Sequence, residues 1–292
     1  LDRRAELALA SGRADAAAVA VDAAAAAAAD GDAAAARRLY ERVVAVEPLH
    51  EAAGAFLEAH HRERADWPAL VSLLRERARH RAGAERGDLL AQVSGLEEQE
   101  LGDRRAAFAA LLEALEADAR FALHGDDLRR LADAVDGWPL LCATLQRRAA
   151  AAAPAGRSEA YFDLAAVLEA AGQPAAAIEA YRALVSVEPA NLPALERLAA
   201  LYRAGGQAAL LDVLSRRAEL TTDRDDQLAL YRELAAEAGR LERWGRAVEA
   251  HRRLAELDPQ GERRGVELYR AGVIYRDQLA EPDEALGCFV SA

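Results

Sequence analysis

The 292-residue sequence is 52% hydrophobic but only 5% aromatic, so alanine carries much of its apolar content, and its formal net charge is −12. Alanine is the best helix former, and no strand-like alternation of apolar and polar residues stands out, which disfavours sheets and barrels. The acidic balance repels nucleic acid on average, and no uncharged apolar run approaches the ~20 residues that a membrane-spanning helix needs.

Helical periodicity, taken in chain order, predicts helices over residues 1–11, 14–29, 33–46, 50–64, 67–80, 85–100, 104–117, 122–135 and 138–151. It continues over 157–171, 174–187, 191–204, 207–220, 225–239, 243–256, 263–279 and 283–291. Asp30-Gly31-Asp32, Gly102-Asp103, Asp136-Gly137, Ala171-Gly172 and Gly205-Gly206 mark the turns, where glycine supplies a left-handed helix cap. Pro68, Pro139, Pro174 and Pro282 fall in first helical turns, while Pro48, Pro189 and Pro259 follow helix ends. The loosest stretch runs from Ala149 to Gly156 around Pro154, and no long linker divides the chain.

These hairpins repeat. Asp66-Trp67-Pro68-Ala69-Leu70 returns as Gly137-Trp138-Pro139-Leu140-Leu141 and again as Gly206-Gln207-Ala208-Ala209-Leu210, a period of about 70 residues. A second series closes at Pro48, Ala119, Pro189 and Pro259 in the same step. A fixed period of this kind is the signature of a solenoid, in which each unit touches only its neighbours. The expectation is an all-α fold, a single continuous right-handed α-solenoid of antiparallel hairpins over residues 1–292.

Lys and Met are absent, Asn occurs only at Asn191 and Ile only at Ile178 and Ile274. All are residues with A/T-rich codons, so the simplest source is a natural bacterial gene from a GC-rich genome. Leu1-Asp2-Arg3-Arg4-Ala5-Glu6-Leu7 aligns with Leu214-Ser215-Arg216-Arg217-Ala218-Glu219-Leu220, and Phe289-Val290-Ser291-Ala292 aligns with Tyr40-Glu41-Arg42-Val43. Neither end reads as a polar capping repeat, so we expect a segment of a longer array, able to self-associate through its uncapped ends.

Residues 158–191 resemble a tetratricopeptide repeat, a 34-residue helix–turn–helix unit. Tyr161, Leu164, Ala165 and Leu168 match its first helix, and Ala177, Tyr181, Leu184 and Pro189 its second. Residues 17–50 are similar through Gly31, Ala36, Tyr40, Val43 and Pro48, and 228–261 through Tyr231, Leu234, Ala247, Leu254 and Pro259. The Trp-Pro series departs from the pattern, with Leu70, Leu141 and Leu211 (or Leu210) near the small-residue site and no closing proline. The resemblance implies a superhelix whose first helices line a concave surface that binds a protein or peptide. It places Glu159, Phe162, Glu169, Glu196, Arg197, Arg203, Arg232 and Arg270 on that surface. Phe162, with the small Ala166 one turn later, would act as an aromatic anchor or pack between hairpins. The arginines would read a carboxylate through paired hydrogen bonds or pair with nearby glutamates. The family's peptide-carboxylate clamp uses Lys and Asn, which this chain lacks at those sites.

Signals for chemistry are weak. His60 and His61 point about 100° apart on a helix and cannot chelate one metal together. His50, His80, His124 and His251 are isolated, and histidines of this kind read as solvated or groove-lining. Cys142 and Cys288 lack metal-ligand spacing and read as small buried residues. No phosphate-binding loop, dinucleotide fingerprint, nucleophile elbow or zincin helix appears. The chain is therefore read as no enzyme, with no metal and no cofactor. The expected function is a cytoplasmic protein-interaction scaffold that takes a protein or peptide partner, with no nucleic acid and no membrane insertion. The alternative is a regulatory repeat region of a larger enzyme or signalling protein.

Overall fold

The computed structural model describes residues 16–118, 125–258 and 262–292. Among these residues there are sixteen α-helices and no strand. They are α1 (Ala16–Ala29), α2 (Ala33–Val46), α3 (Glu51–Glu63), α4 (Trp67–Arg79), α5 (Gly83–Gln99), α6 (Arg104–Ala117), α7 (Gly125–Val135) and α8 (Trp138–Ala151). The order continues with α9 (Arg157–Ala170), α10 (Pro174–Val187), α11 (Leu192–Ala204), α12 (Leu210–Leu220), α13 (Arg224–Arg240), α14 (Trp244–Leu257), α15 (Glu262–Ile274) and α16 (Pro282–Ser291). The helix expected over 1–11 lies outside the described residues, as do the first residues of the one expected over 122–135.

Short polar side chains start many of these helices. The carboxylates of Asp32, Asp66, Asp103 and Asp223 and the Asn191 amide oxygen each accept from a backbone N–H in the first turn that follows. Each satisfies one of the orphan donors at a helix start. Two helices differ from their sequence reading. The one expected over 207–220 begins only at Leu210, because it has neither the Trp-Pro pair of its relatives nor a side-chain cap. The one expected over 263–279 ends as α-helix at Ile274 and widens into a π turn over Tyr275–Leu279. Ala280 closes that turn in the left-handed region at φ 56°, and Glu281 N donates to Tyr275 O over 2.9 Å.

Residue contacts group the chain into two compact units, one ending at Arg148 and one beginning at Ala149, so the division falls inside α8. Within the first unit each helix from α1 to α7 packs on its sequence neighbours, and within the second those from α9 to α16 do the same. This nearest-neighbour packing follows from the amphipathic pattern: a hairpin cannot bury both apolar faces alone. Alanine makes the contacts close. Ala24, Ala36, Ala53, Ala107, Ala114, Ala177, Ala194 and Ala250 are fully buried between larger side chains. In the first unit Leu39, Tyr40, Val43 and Leu57 form one cluster, with Tyr40 and Phe56 rings 4.7 Å apart. In the second, Val248, Ala271 and Cys288 join α14, α15 and α16.

Tyr40, Tyr181 and Tyr202 are core residues, as the repeat pattern predicts, whereas Tyr269 is 57% exposed, with its ring 5.4 Å from that of Phe289. Cys142 and Cys288 are buried free thiols whose burial pushes their pKa values up, which makes them poor nucleophiles. No described helix is long and apolar enough to cross a membrane.

Candidate functional site

The candidate surface lies in the second unit, on α9, α11 and α13. Phe162, at the middle of α9, is half-buried. Its ring stands edge-on to Tyr181 of α10, with centroids 5.8 Å apart and an interplanar angle of 73°. That edge-to-face geometry fixes the Phe162 ring against its own hairpin.

Glu169, in the last turn of α9, accepts two hydrogen bonds from the Arg197 guanidinium of α11, one from Nε at 3.2 Å and a shorter one from Nη2. Arg203, in the last turn of α11, grips Glu233 of α13, with Nε 3.1 Å from Oε1 and Nη2 closer. The two ion pairs therefore run from one first helix to the next. Both arginines are half-exposed, so each pair contributes at most about 1 kcal/mol to stability. Their larger effect is on chemistry: a guanidinium already held by a carboxylate is a weak receptor for a second one. Of the two roles open to these arginines in the sequence, Arg197 and Arg203 take up pairing with neighbouring glutamates.

The Tyr181 hydroxyl lies beside the Glu169–Arg197 pair. It is buried and makes no hydrogen bond of normal geometry. Burial pushes the phenol up to about 12, with Glu169 adding to the rise and Arg197 opposing it.

The other expected site residues stand apart from this cluster. Glu159, Glu196 and Arg232 are exposed, and no ion pair engages them among the described residues. Arg270 is exposed on α15 and pairs over 3.0 Å with Glu267 of its own helix. Glu267 is itself buried and lies 2.6 Å from His251 of α14. Ala200 and Ala236 are exposed small residues on α11 and α13. Tyr181, read from the sequence as a core residue, is fully buried and supports Phe162 from beneath this surface. Sequence reading missed that His61 is buried, at 6% exposure. Among the described residues no group of three His, Cys, Asp or Glu side chains is placed to hold a metal ion.

The tetratricopeptide repeat family model matches residues 158–201, which span α9, α10 and most of α11. No curated protein matches the sequence. Among solved structures, the C-terminal part of a TPR repeat-containing protein from Cytophaga hutchinsonii is 11% identical, with a TM-score of 0.40 over 85% of this chain and 99% of that one. The Naa15/Naa10 complex bound to HypK-THB contains a chain 15% identical, with a TM-score of 0.45 over 94% of this chain and 42% of that one. YrrB, a TPR protein with an unusual peptide-binding site, is 13% identical, with a TM-score of 0.26 over 70% of this chain and 86% of that one. Likeness of this degree carries no inference about activity or partners. The described residues are thus all-α, arranged as successive helix hairpins, and residues 158–201 among them match the tetratricopeptide repeat model.

Proposed function

We infer that the chain is a protein-interaction scaffold, and that the surface formed by α9, α11 and α13 receives a peptide or protein segment. The observation that supports this most is Phe162. It is a half-buried aromatic, held edge-on by Tyr181, with the small Ala166 one turn later on the same helix. A pre-oriented, partly exposed ring suits an apolar side chain of the partner, and such anchors carry most of the energy of an interface. The ion pairs Glu169–Arg197 and Arg203–Glu233 act here as struts that hold the first helices in register. Glu159, Glu196 and Arg232 remain as exposed charges on the same three helices and would set orientation and association rate. With this reading go a cytoplasmic location, a non-catalytic role, and no nucleic-acid partner for a chain of net charge −12.

The test is selection of binding peptides from a displayed random library on the intact chain, followed by titration of the selected peptides against variants. Phe162→Ala is expected to weaken them by about 2 kcal/mol, roughly thirtyfold. Arg197→Gln is expected to change affinity little, since its charge is already engaged. Peptides that bind Phe162→Ala as tightly as the wild type, or lose affinity only on substitution of α10 or α12, would place the binding surface elsewhere.

A further inference from the structure

The hairpins of the second unit close alike. A backbone N–H just ahead of each second helix donates to a carbonyl in the last turn of the first. These bonds are Gln173 N to Leu168 O, Gln207 N to Tyr202 O and Glu281 N to Tyr275 O, each 2.9 Å, and Arg243 N to Ala238 O at 2.8 Å. The bond at Glu281 spans one residue more than the others, which is the residue added by the π turn. Six residues before each accepting residue stand Phe162, Glu196, Arg232 and Tyr269. They therefore hold one repeat position on α9, α11, α13 and α15.

The two ends of this row are built the same way. Tyr181 of α10 and Phe289 of α16, each eight residues after its closing donor, set a ring against Phe162 and Tyr269, at centroid distances of 5.8 and 5.4 Å. Gly272 makes room for the second pair, since a Cβ added there would lie 2.5 Å from the Phe289 ring. Between the two aromatic ends, Glu196 and Arg232 are exposed, and no ion pair engages either among the described residues. One turn further along the same helices stand Ala166, Ala200, Ala236 and Val273, none bulkier than valine. The row thus runs aromatic, acid, base, aromatic.

Its spacing selects a backbone form for the occupant. The pairs Glu169–Arg197 and Arg203–Glu233 link α9 to α11 and α11 to α13, while α13 and α15 both pack on α14. Neighbouring packed helices lie about 8–10 Å apart. A polyproline II chain has three residues per turn and rises about 3.1 Å per residue, so it presents the same face about every 9 Å. A β-strand presents it about every 6.6 Å and falls out of step within two helices.

We propose that this row takes an extended partner segment in the polyproline II form. Its apolar first and tenth residues sit on Phe162 and Tyr269, in either order, and a basic and an acidic residue at the third-residue steps between them face Glu196 and Arg232. The proposal rests on the surface reading of Phe162 and adds Tyr269 as a second anchor and a charge order to it. Opposite charges on the partner offset the two unpaired ones on this chain, which sets the direction of the segment.

The probe is the fluorophore-labelled peptide Leu-Ser-Pro-Arg-Ser-Pro-Asp-Ser-Pro-Leu, titrated against the intact chain by fluorescence anisotropy. Its prolines bar it from helix. A second form exchanges Arg and Asp, and because a peptide has a direction one form is expected to bind more tightly. Replacing either leucine of that form by serine is expected to weaken it about tenfold. A seven-residue version, with its leucines six positions apart, reaches only one anchor and loses as much. Tyr269→Ala weakens the full peptide about tenfold and leaves one of the two single-leucine peptides unchanged, the one whose leucine sits on Phe162. These peptide arms test the second anchor without altering the protein. If Phe162→Ala weakens the full peptide and Tyr269→Ala does not, the second anchor is wrong and the Phe162 reading stands. If neither substitution changes its affinity, both fall. Equal binding by the ten-residue peptide and by its form with both leucines replaced, or by the two charge orders, would also overturn the proposal.

Discussion

At the scale of single residues, Tyr181 joins core and surface in one side chain. Its ring is fully buried and supports Phe162, while its hydroxyl is buried without a hydrogen bond. Removing this hydroxyl while keeping the ring takes away a desolvation penalty, together with contacts to Glu169 and Arg197 that oppose each other. Tyr181→Phe is therefore expected to leave stability at pH 7 unchanged or to raise it by up to about 1 kcal/mol, read from the urea midpoint. At alkaline pH the effect is larger and its sign is fixed. The folded phenol is pushed up to about 12 from an ordinary 10.0, so the neutral form is favoured in the folded state. The associated stability is complete below pH 10 and is lost as pH rises through about 12. Tyr181→Phe is expected to move the alkaline unfolding midpoint upward. A Phe variant that is less stable at pH 7 would mean that the hydroxyl is bonded after all.

At the scale of the helix hairpin, small residues decide how closely the helices approach. Ala177 of α10 is fully buried at the position where the repeat pattern demands a small side chain. A leucine there adds three carbons to a contact with no room, so Ala177→Leu is expected to cost roughly 1–3 kcal/mol. Thermal or urea denaturation of the isolated variant checks it, and an unchanged midpoint would show that the α9–α10 contact can open without penalty. The turns show the same economy. Gly31, Gly102 and Gly172 take the left-handed conformation after a helix, where glycine has no Cβ penalty. Ala65, Asp136, Glu242 and Ala280 take it without that advantage, and the departures from the repeat pattern gather at these turns.

At the scale of the whole molecule, stability is distributed, because each described helix packs chiefly on its neighbours in sequence. Two consequences follow. Far-UV circular dichroism is expected to give a helix fraction above about 70%, far beyond the 30–35% of ordinary domains. A chain covering residues 153–292 is expected to fold without the rest, because the second compact unit begins at Ala149 and the stretch before α9 is only a short turn around Pro154. It should retain helical circular dichroism and a cooperative denaturation transition. A fragment that is unfolded or melts without a transition would show that the contacts within this unit are insufficient alone.

The sequence by itself determined the helices, their order and the identity of most core residues. Those properties are local: a 3.6-residue period places Leu164, Leu168, Tyr181 and Leu184 on buried faces whatever surrounds them. The helices over 33–46, 104–117 and 174–187 coincide with the expected spans for the same reason, since a capping Asp or a first-turn proline starts each one and a chain turn ends it. The tertiary structure decided what the exposed and half-buried polar groups do. Arg197 and Arg203 stand 28 and 30 residues from the glutamates that hold them, a separation that no periodicity encodes. His61 and His60 look alike in sequence, yet only the packing of α3 against α2 and α4 buries one of them beside Asp66. Burial and pairing across helices depend on how neighbouring hairpins register, and register is a property of the folded contacts rather than of any one segment.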